Sequence, residues 1–221
     1  MLSAMMRGIL GLAQPPAFGR VDGAVTPIAG KTRDADTVIS NSEYWIAPEI
    51  TVARADKSLI VRFDPQTKKT STFAADGGKS NGLAFDANGY LISCEGNDTG
   101  GRRVARWDTK NGNSQTIVDR YMGKKFNAPN DLVLDAKGRI YFTDPRYMGN
   151  EPRELDYRAV YRVDGDGKNV VEVTHEVEKP NGIALSPDEK TLYVADHNNG
   201  ADRIDPAGPK PTKGAMKIYS Y

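Results

Sequence analysis

The segment NAPNDLVLDAKGRIYFTDP, residues 127–145, holds two short apolar runs on either side of a polar turn. The turn DAKG, residues 135–138, combines the residue types that favour tight hairpins. Two apolar runs joined in this way predict a pair of antiparallel strands. A polar pair, Asn130-Asp131, stands directly before the first strand, and its purpose there is the question that the rest of the chain must answer.

The same pattern occurs in two other places. NGLAFDANGYLISCEG begins at Asn81 and NGIALSPDEKTLYVADH begins at Asn181, so the three copies start 49 and 51 residues apart. A third element of one form, with apolar residues around an Arg and an Asp that ends the strand, occurs at 60–68, 103–112 and 160–168. A fourth apolar segment follows each of these. Four antiparallel strands in about 50 residues are typical of a β-propeller blade. A β-sandwich with chance similarity is the alternative, but it does not explain the regular spacing.

We therefore predict an all-β protein, a β-propeller of four-stranded antiparallel blades. Complete blades are expected at about 81–122 and 130–178. A partial blade, clear only at 58–75, precedes them, and another follows and ends in a third strand at 216–221, which makes about four blades. Since open arcs leave strand edges unpaired, this arc is expected to belong to a larger ring. Residues 1–42 are predicted to be an irregular N-terminal segment, and residues 43–221 a partial propeller domain.

The charge balance argues against some classes of partner. The chain has 30 basic and 29 acidic residues, so nothing favours nucleic acid or an anionic membrane as a ligand. The pair Arg102-Arg103 is interpreted as a solvated strand end. The single cysteine, Cys94, excludes an internal disulfide and is interpreted as a small buried hydrophobe, with a reactive thiol as the alternative.

The sequence leaves the compartment open. No apolar run approaches the roughly 18 residues of a membrane helix. The N-terminal stretch 1–16 is a weak secretory signal because Arg7 and two glycines interrupt its apolar part. Cytoplasmic and exported locations both remain open.

The repeated amide predicts a function for the propeller axis. The innermost strands of successive blades line one channel, so Asn81, Asn130 and Asn181 are expected at equivalent positions around it. Carbonyl and carboxylate oxygens that converge on one point suit a hard cation such as Ca²⁺. Asn130 and Asn181 are thus candidate metal ligands. The alternative is that each Asn only caps a turn by bonding to local backbone.

The motifs also carry a family resemblance. FNAPNDLVLDAKGRIYFTDP and KPNGIALSPDEKTLYVADH resemble the SMP-30/gluconolactonase, or regucalcin-like, family, and the upstream KSNGLAFDANGYLISCEG is similar to its bacterial gluconolactonase-type members. The resemblance covers about residues 58–221. It implies a six-bladed propeller, a monomer if the ring is complete, with one divalent ion in the channel. That ion would be Ca²⁺, with Zn²⁺ as the alternative, and the substrate would be a small sugar lactone or a related ester.

The resemblance also implies roles for single residues. Asn130 and Asn181 take the family's two Asn ligand positions, and Asn81 faces the substrate. Glu43 is the candidate for the family's early Glu ligand, with Glu49 as a weaker choice. Its surroundings differ from the family motif, and the family's late Asp is not found up to residue 221.

Two further parts of the site follow from the family pattern. Asp131 falls where the family often has a carboxylate near the metal, and it is the candidate general base, with an orienting role for a ligand as the alternative. The loop 144–160 would lie over the channel mouth, which makes Arg146 and Tyr147 candidate substrate contacts, unless it is an ordinary solvated loop. The function predicted is a metal-dependent lactone hydrolase. The alternatives are a non-catalytic or inactivated propeller that binds a ligand or a protein, and a phosphotriesterase-like hydrolase.

Overall fold

The computed structural model of the protein describes residues 50–54, 58–64, 66–96, 100–147, 149, 151–205, 207–208 and 212–221. Within these ranges the regular structure is entirely β. The strands, in chain order, are β1 (Ile50–Arg54), β2 (Leu59–Asp64), β3 (Lys69–Ala74), β4 (Ser80–Phe85), β5 (Leu91–Glu95), β6 (Arg103–Trp107), β7 (Ser114–Val118), β8 (Arg120–Tyr121), β9 (Lys124–Lys125), β10 (Leu132–Leu134), β11 (Ile140–Asp144), β12 (Ala159–Val163), β13 (Val171–Thr174), β14 (Pro180–Leu185), β15 (Leu192–Asp196) and β16 (Lys217–Ser220).

The strands form four antiparallel sheets and one short ribbon. The first sheet is β1-β2-β3, the second β4-β5-β6-β7, the third β10-β11-β12-β13 and the fourth β14-β15-β16, while β8 and β9 pair with each other. The two predicted four-stranded units are confirmed, and so is the strand near the end of the chain, β16. Strand β1 was not predicted, because no clear alternation marks residues 50–54. None of the described segments is a helix long and apolar enough to cross a bilayer.

In the second and third sheets the first two strands are joined as the turn chemistry predicts. The Asp86 carboxylate accepts hydrogen bonds from the backbone N–H groups of Asn88 and Tyr90, both at 2.9 Å. Asp135 does the same for its own turn, and the glycine at the end of that turn, Gly138, has a φ of +76°. A side chain at the start of each turn thus replaces missing backbone partners, and the glycine supplies the left-handed conformation.

The hydrophobic core lies between neighbouring sheets. Ile60 of the first sheet packs with Leu91 and Trp107 of the second. The second and third sheets enclose the largest cluster, in which Cys94 is fully buried as predicted, and burial raises the pKa of its thiol. A third cluster joins the third and fourth sheets, with these members: Val133, Val160, Val177, Ile183, Leu192 and Val194. Sheets that pack face to face in sequence order are the arrangement of propeller blades.

The interpretation of Arg102-Arg103 as a solvated strand end is wrong. Arg102 is 7% exposed, and its Nε donates to the carbonyl oxygen of Phe126 at 2.7 Å. Arg103 makes a two-point contact with the buried carboxylate of Glu95, at 2.8 and 3.0 Å. Both guanidinium groups bond to buried acceptors, but only Arg102 lies in the interior, since the Arg103 side chain is partly exposed.

Candidate active site

The three repeated asparagines lie at the starts of neighbouring first strands. The N–H of Gly82, directly after Asn81, donates to the carbonyl oxygen of Asn130 at 2.7 Å. The hydroxyl of Thr143, on β11, donates to the carbonyl oxygen of Asn181 at 2.7 Å. The starts of the first strands of the second, third and fourth sheets are therefore linked by hydrogen bonds.

Thr143 connects the two candidate metal ligands. Its carbonyl oxygen accepts from the N–H of Asn130 at 2.8 Å, and its hydroxyl oxygen accepts from the N–H of Asp131 at 3.1 Å. The same hydroxyl donates its proton to Asn181. One fully buried residue, through its carbonyl oxygen and its hydroxyl, thus holds the backbones of Asn130, Asp131 and Asn181 side by side.

The glycine of the Asn-Gly pair in the second sheet has a packing role. A Cβ atom on Gly82 would lie 2.7 Å from Cα of Asp131 and 2.8 Å from the carbonyl oxygen of Asn130. Since these are backbone atoms, a larger residue would push the two sheets apart. The glycine therefore permits the close approach that brings the asparagines together.

The candidate general base is fixed by the next sheet. Oδ2 of Asp131 accepts a hydrogen bond from the N–H of Ile183 at 3.2 Å. The Asp131 side chain is partly exposed, Asn130 is 9% exposed, and Asn81 is exposed. The carboxylate thus lies between two first strands, within a site that solvent reaches on the side of Asn81.

Tyr147 packs against the segment that leads into the second candidate ligand, Asn181. Its hydroxyl group lies 3.2 Å from the carbonyl oxygen of His197 and 3.4 Å from that of Lys179. Burial raises the pKa of Tyr147 to about 12. Tyr147 therefore lies beside Lys179, which stands two residues before Asn181 in the chain. Whether it touches a substrate remains a prediction.

Arg146 is held by the protein itself. It is 6% exposed, its two terminal nitrogens donate to the carbonyl oxygens of Glu151 and Gly149 at 2.7 and 2.5 Å, and its Nε lies 3.3 Å from Oδ1 of Asp202. In this arrangement its guanidinium group orders the loop after β11. Its predicted contact with a substrate stays a prediction.

The loop after β11 is not the solvated connection that was considered as an alternative. Arg153 and Arg158 also pair with the carboxylate of Asp202, the latter at 3.0 Å, and Leu155 is fully buried. Three guanidinium groups from residues 146–158 meet one carboxylate from residues 197–205. We call this group the Asp202 cluster: Arg146, Arg153, Arg158 and Asp202.

Sequence reasoning missed a second set of repeated residues. The second strand of each hairpin ends in an acidic residue, namely Glu95, Asp144 and Asp196. The Asp144 carboxylate accepts from the N–H groups of Asn127 and Ala128 at 2.8 and 2.6 Å, and Asp196 accepts from the N–H of Lys179 at 3.1 Å. Two of the acids thus anchor the segment that leads into Asn130 or Asn181. The shared endings CEG, TDP and ADH were the available signal.

A buried cation lies near the entry to β14. The ammonium group of Lys179 donates to Oδ1 of Asn199 at 2.8 Å and to the carbonyl oxygen of Ala201, and it lies 4.7 Å from the centre of the Tyr147 ring. Burial lowers the pKa of Lys179 to about 8. The ammonium group of Lys179 thus links the loop that carries Asn199 and Ala201 to the ring of Tyr147.

The residues at the strand starts carry the types of oxygen ligand that a hard cation prefers. Asn130, Asp131 and Asn181 offer amide and carboxylate oxygens, the ligands that Ca²⁺ prefers. The described segments contain no group of three His, Cys, Asp or Glu side chains placed to hold a metal. Glu43 lies outside the described residues. His175 pairs with Glu172 on the outer strand of the third sheet.

Comparison with known proteins places the chain in a family. Residues 44–204 match the SMP-30/Gluconolactonase/LRE-like region. The chain is 35% identical over 131 residues to a gluconolactonase of Zymomonas mobilis, covering 57% of this chain and 35% of that protein. It is 28% identical over 194 residues to lactonase drp35 of Staphylococcus epidermidis, covering 76% of this chain and 57% of that protein.

Solved structures agree with the fold. A gluconolactonase from Xanthomonas campestris superposes with a TM-score of 0.64 at 29% identity, over 78% of this chain and 53% of that one. Regucalcin from Agrobacterium tumefaciens, described as a calcium-binding protein, superposes with a TM-score of 0.53 at 12% identity, over 78% of this chain and 55% of that one, and supports the propeller fold alone. The chain spans between about a third and a little over half of these relatives. It is a β-propeller chain, and it belongs to the SMP-30/gluconolactonase/LRE-like family.

Proposed function

We propose that the protein hydrolyses small sugar lactones at the strand starts that carry Asn130, Asp131 and Asn181, with a divalent cation, Ca²⁺ before Zn²⁺, as cofactor. The observation that carries the proposal is the contact of these three residues through Thr143. Relatives named gluconolactonase and lactonase share 28–35% of the aligned residues. Because the backbones of these residues lie side by side, their side-chain oxygens could act on one bound cation from two neighbouring sheets.

A lactone is a cyclic ester, and its hydrolysis needs a polarised carbonyl group, an activated water molecule and stabilisation of the tetrahedral oxyanion. A bound divalent cation supplies the polarisation and makes water more acidic. The amide oxygens of Asn130 and Asn181 would hold it, and because amides are neutral they leave the cation more of its charge than carboxylates would.

Asp131 is placed to handle the proton. Its carboxylate is anchored through one oxygen by the N–H of Ile183, and its side chain is partly exposed. An anchored carboxylate at the site can take a proton from water as a general base. Asn81, exposed at the start of β4, is available to the hydroxyl groups of a sugar.

The test is hydrolysis of glucono-δ-lactone by the purified protein, with Ca²⁺ or with an excess of chelator. The change Asn130→Ala should lower activity at limiting Ca²⁺ by at least about tenfold, since even the loss of a residue that only orients a metal ligand costs that much. The matched control is Asn88→Ala, an exposed asparagine in the β4–β5 turn, which should match the wild type. Hydrolysis that is indifferent both to chelator and to Asn130→Ala would exclude the proposal.

A non-catalytic ligand-binding propeller is the second candidate. It is favoured by the small number of acidic groups that the described residues bring to the strand starts. A protein of this kind would bind the lactone or Ca²⁺ in calorimetry and return the lactone unchanged. Product analysis after prolonged incubation separates the two functions.

A further inference from the structure

The pairing of β14 with β15 is interrupted where the second candidate ligand lies. The register shifts between Pro180 and Ile183, as at a β-bulge, and Asn181 falls within the shift. The second sheet has the same shift around Asn81. Bulges are common beside active sites, where they re-aim a side chain and leave a residue of the strand unpaired. The backbone at Asn181 is thus available to a partner outside its own sheet.

That partner comes from the third sheet. The carbonyl oxygen of Asn181 accepts a hydrogen bond from the hydroxyl of Thr143 at 2.7 Å, and Thr143 is fully buried. The N–H of Ile183 donates to Oδ2 of Asp131 at 3.2 Å. Side chains therefore take part in the connection between the third and fourth sheets, whereas the second and third sheets are connected through two backbone groups.

The count of donors and acceptors decides where the Thr143 proton goes. The hydroxyl oxygen lies 2.7 Å from the carbonyl oxygen of Asn181 and 3.5 Å from that of Asp131. The Asp131 carbonyl oxygen already accepts from the N–H of Thr143 at 3.0 Å, and Sγ of Cys94 lies 3.6 Å from it. The hydroxyl therefore donates to Asn181, and its oxygen accepts from the N–H of Asp131 at 3.1 Å. One hydroxyl group ties Asp131 to Asn181.

We propose that Thr143 is a positioning residue whose hydroxyl group sets the spacing between the cation's ligands on the third sheet and the ligand on the fourth. This rests on the proposed function, in which Asn130 and Asn181 hold the ion. Ca²⁺ binds oxygen atoms at about 2.3–2.6 Å, so the strand starts must stay at one separation for both amides to reach it. Without the hydroxyl, the Asn181 carbonyl and the Asp131 N–H lose a buried partner, and the strand starts are free to move apart.

The test uses the change Thr143→Val, which removes the hydroxyl and keeps the shape of the side chain. Calorimetry should show Ca²⁺ binding weakened about tenfold or more, the loss that is usual when a group that orients a metal ligand is removed. Thr143→Ser keeps the donor and should bind Ca²⁺ nearly as the wild type does. If Thr143→Val does not fold, Thr143→Cys replaces it, since a thiol is a weak donor and should also lower the affinity.

The matched control is Thr174→Val. Thr174 is a buried threonine of the same sheet, and its hydroxyl oxygen accepts from the N–H of Glu176, two residues along the chain, at 3.1 Å. Loss of this hydroxyl removes a local contact of a buried threonine without touching the connection between sheets. Thr174→Val should therefore leave the Ca²⁺ affinity unchanged, even where it lowers the melting temperature.

A second measurement needs no metal. In protein labelled with ¹⁵N and ¹³C, the amide signal of Asp131 and the carbonyl carbon signal of Asn181 should both shift in Thr143→Val, because each loses its bond to the hydroxyl. Both signals should stay in place in Thr174→Val. Amide hydrogen exchange at Asp131 should also become faster in Thr143→Val alone.

The possible results separate the inference from the proposed function. Unchanged Ca²⁺ affinity in Thr143→Val would overturn the inference and leave the proposed hydrolysis intact. Equal losses of affinity in Thr143→Val and in Thr143→Ser or Thr174→Val would also overturn it, since the hydroxyl of Thr143 would then have no special role. Ca²⁺ binding without hydrolysis would contradict the proposed function alone, and the affinities of the variants would still decide the role of Thr143. A wild-type protein that binds no Ca²⁺ would overturn both the cation's role and the inference.

Discussion

At the scale of single residues, Asp144 shows how a buried acid supports the site. Its carboxylate accepts two backbone hydrogen bonds from the segment that leads to Asn130. Burial raises its pKa to about 6, although those two bonds and the guanidinium groups of Arg153 and Arg102 oppose the shift. The folded protein therefore retains this proton at pH values where the unfolded chain, with a pKa near 3.8, has released it.

The pH dependence of stability follows from that difference. Because the folded state binds the proton more tightly, the stability contributed by Asp144 is present below about pH 4 and is lost as the pH rises through about 6. The free energy of unfolding of the wild type relative to Asp144→Asn should fall by up to about 3 kcal/mol between pH 4 and pH 7. Urea titrations at several pH values measure it.

An exposed acid provides the control for this prediction. The hydroxyl of Ser186 lowers the pKa of Asp188 in the β14–β15 turn, so its contribution is present at neutral pH and is lost as the pH falls through its lowered pKa. The difference between wild type and Asp188→Asn should therefore stay nearly constant where the Asp144 difference falls, and should change with the opposite slope only below the ordinary pKa of 3.8. The same slope for both variants would mean that burial does not control the proton on Asp144.

At the scale of elements, the Asp202 cluster joins the loop after β11 to the loop after β15. Both Arg146 and Asp202 have a positive φ, +53° and +58°, a conformation that side chains adopt at a cost unless the surroundings hold them there. Their ion pair supplies that restraint. The loop that presents Tyr147 is thus shaped by a carboxylate 55 residues further along the chain.

Removal of the Asp202 carboxylate should lower the free energy of unfolding. In Asp202→Asn three buried guanidinium groups lose their counter-charge, and breaking a buried pair in this way destabilises a protein by about 3–5 kcal/mol. Thermal unfolding and proteolysis within residues 145–158 measure the effect. Asp166→Asn, which removes an exposed ion pair with Lys168, is the control and should behave as wild type. Equal stability of both variants would show that the cluster does not hold the loop.

The sequence could predict contacts between residues close in the chain but not contacts between distant ones. The hairpin at Asp135 was predictable because the hydrogen bonds of the Asp135 carboxylate all go to residues within four positions. Arg102 was misinterpreted because its acceptors, the carbonyl groups of Phe126 and Asn127, are 24 and 25 residues away and are brought near only by folding.

In the candidate site, too, local features could be predicted from the sequence and long-range contacts could not. The regular spacing of Asn81, Asn130 and Asn181 was enough to predict that they begin neighbouring strands. No local sequence feature predicts that Thr143 links two of them or that the hydroxyl of Tyr147 reaches the carbonyl oxygens of Lys179 and His197, since each contact joins different sheets or loops. Long-range hydrogen bonds have no period, so pattern analysis does not detect them.

At the scale of the whole molecule, the sheets depend on one another because their cores are shared. Aromatic rings fill the space between the second and third sheets: Phe126 lies 5.1 Å from both Phe142 and Tyr161, and Tyr121 lies 5.0 Å from Tyr161. The backbone bridge from Gly82 to Asn130 crosses the same interface. The site therefore exists only while neighbouring sheets remain packed.

This predicts a cooperative loss of structure and site. Phe142→Ala should remove about 3–5 kcal/mol of unfolding free energy, since the ring is fully buried and its neighbours cannot close the cavity. Because the ring lies between two sheets, amide hydrogen exchange should accelerate in both β5 and β11, and Ca²⁺ binding should weaken only at temperatures where that exchange is fast. The control is Tyr90→Ala, which shortens an exposed aromatic side chain in the β4–β5 turn. Faster exchange in β11 with β5 unchanged would show that each sheet is stable alone, and the strand starts would then hold their geometry without the shared core.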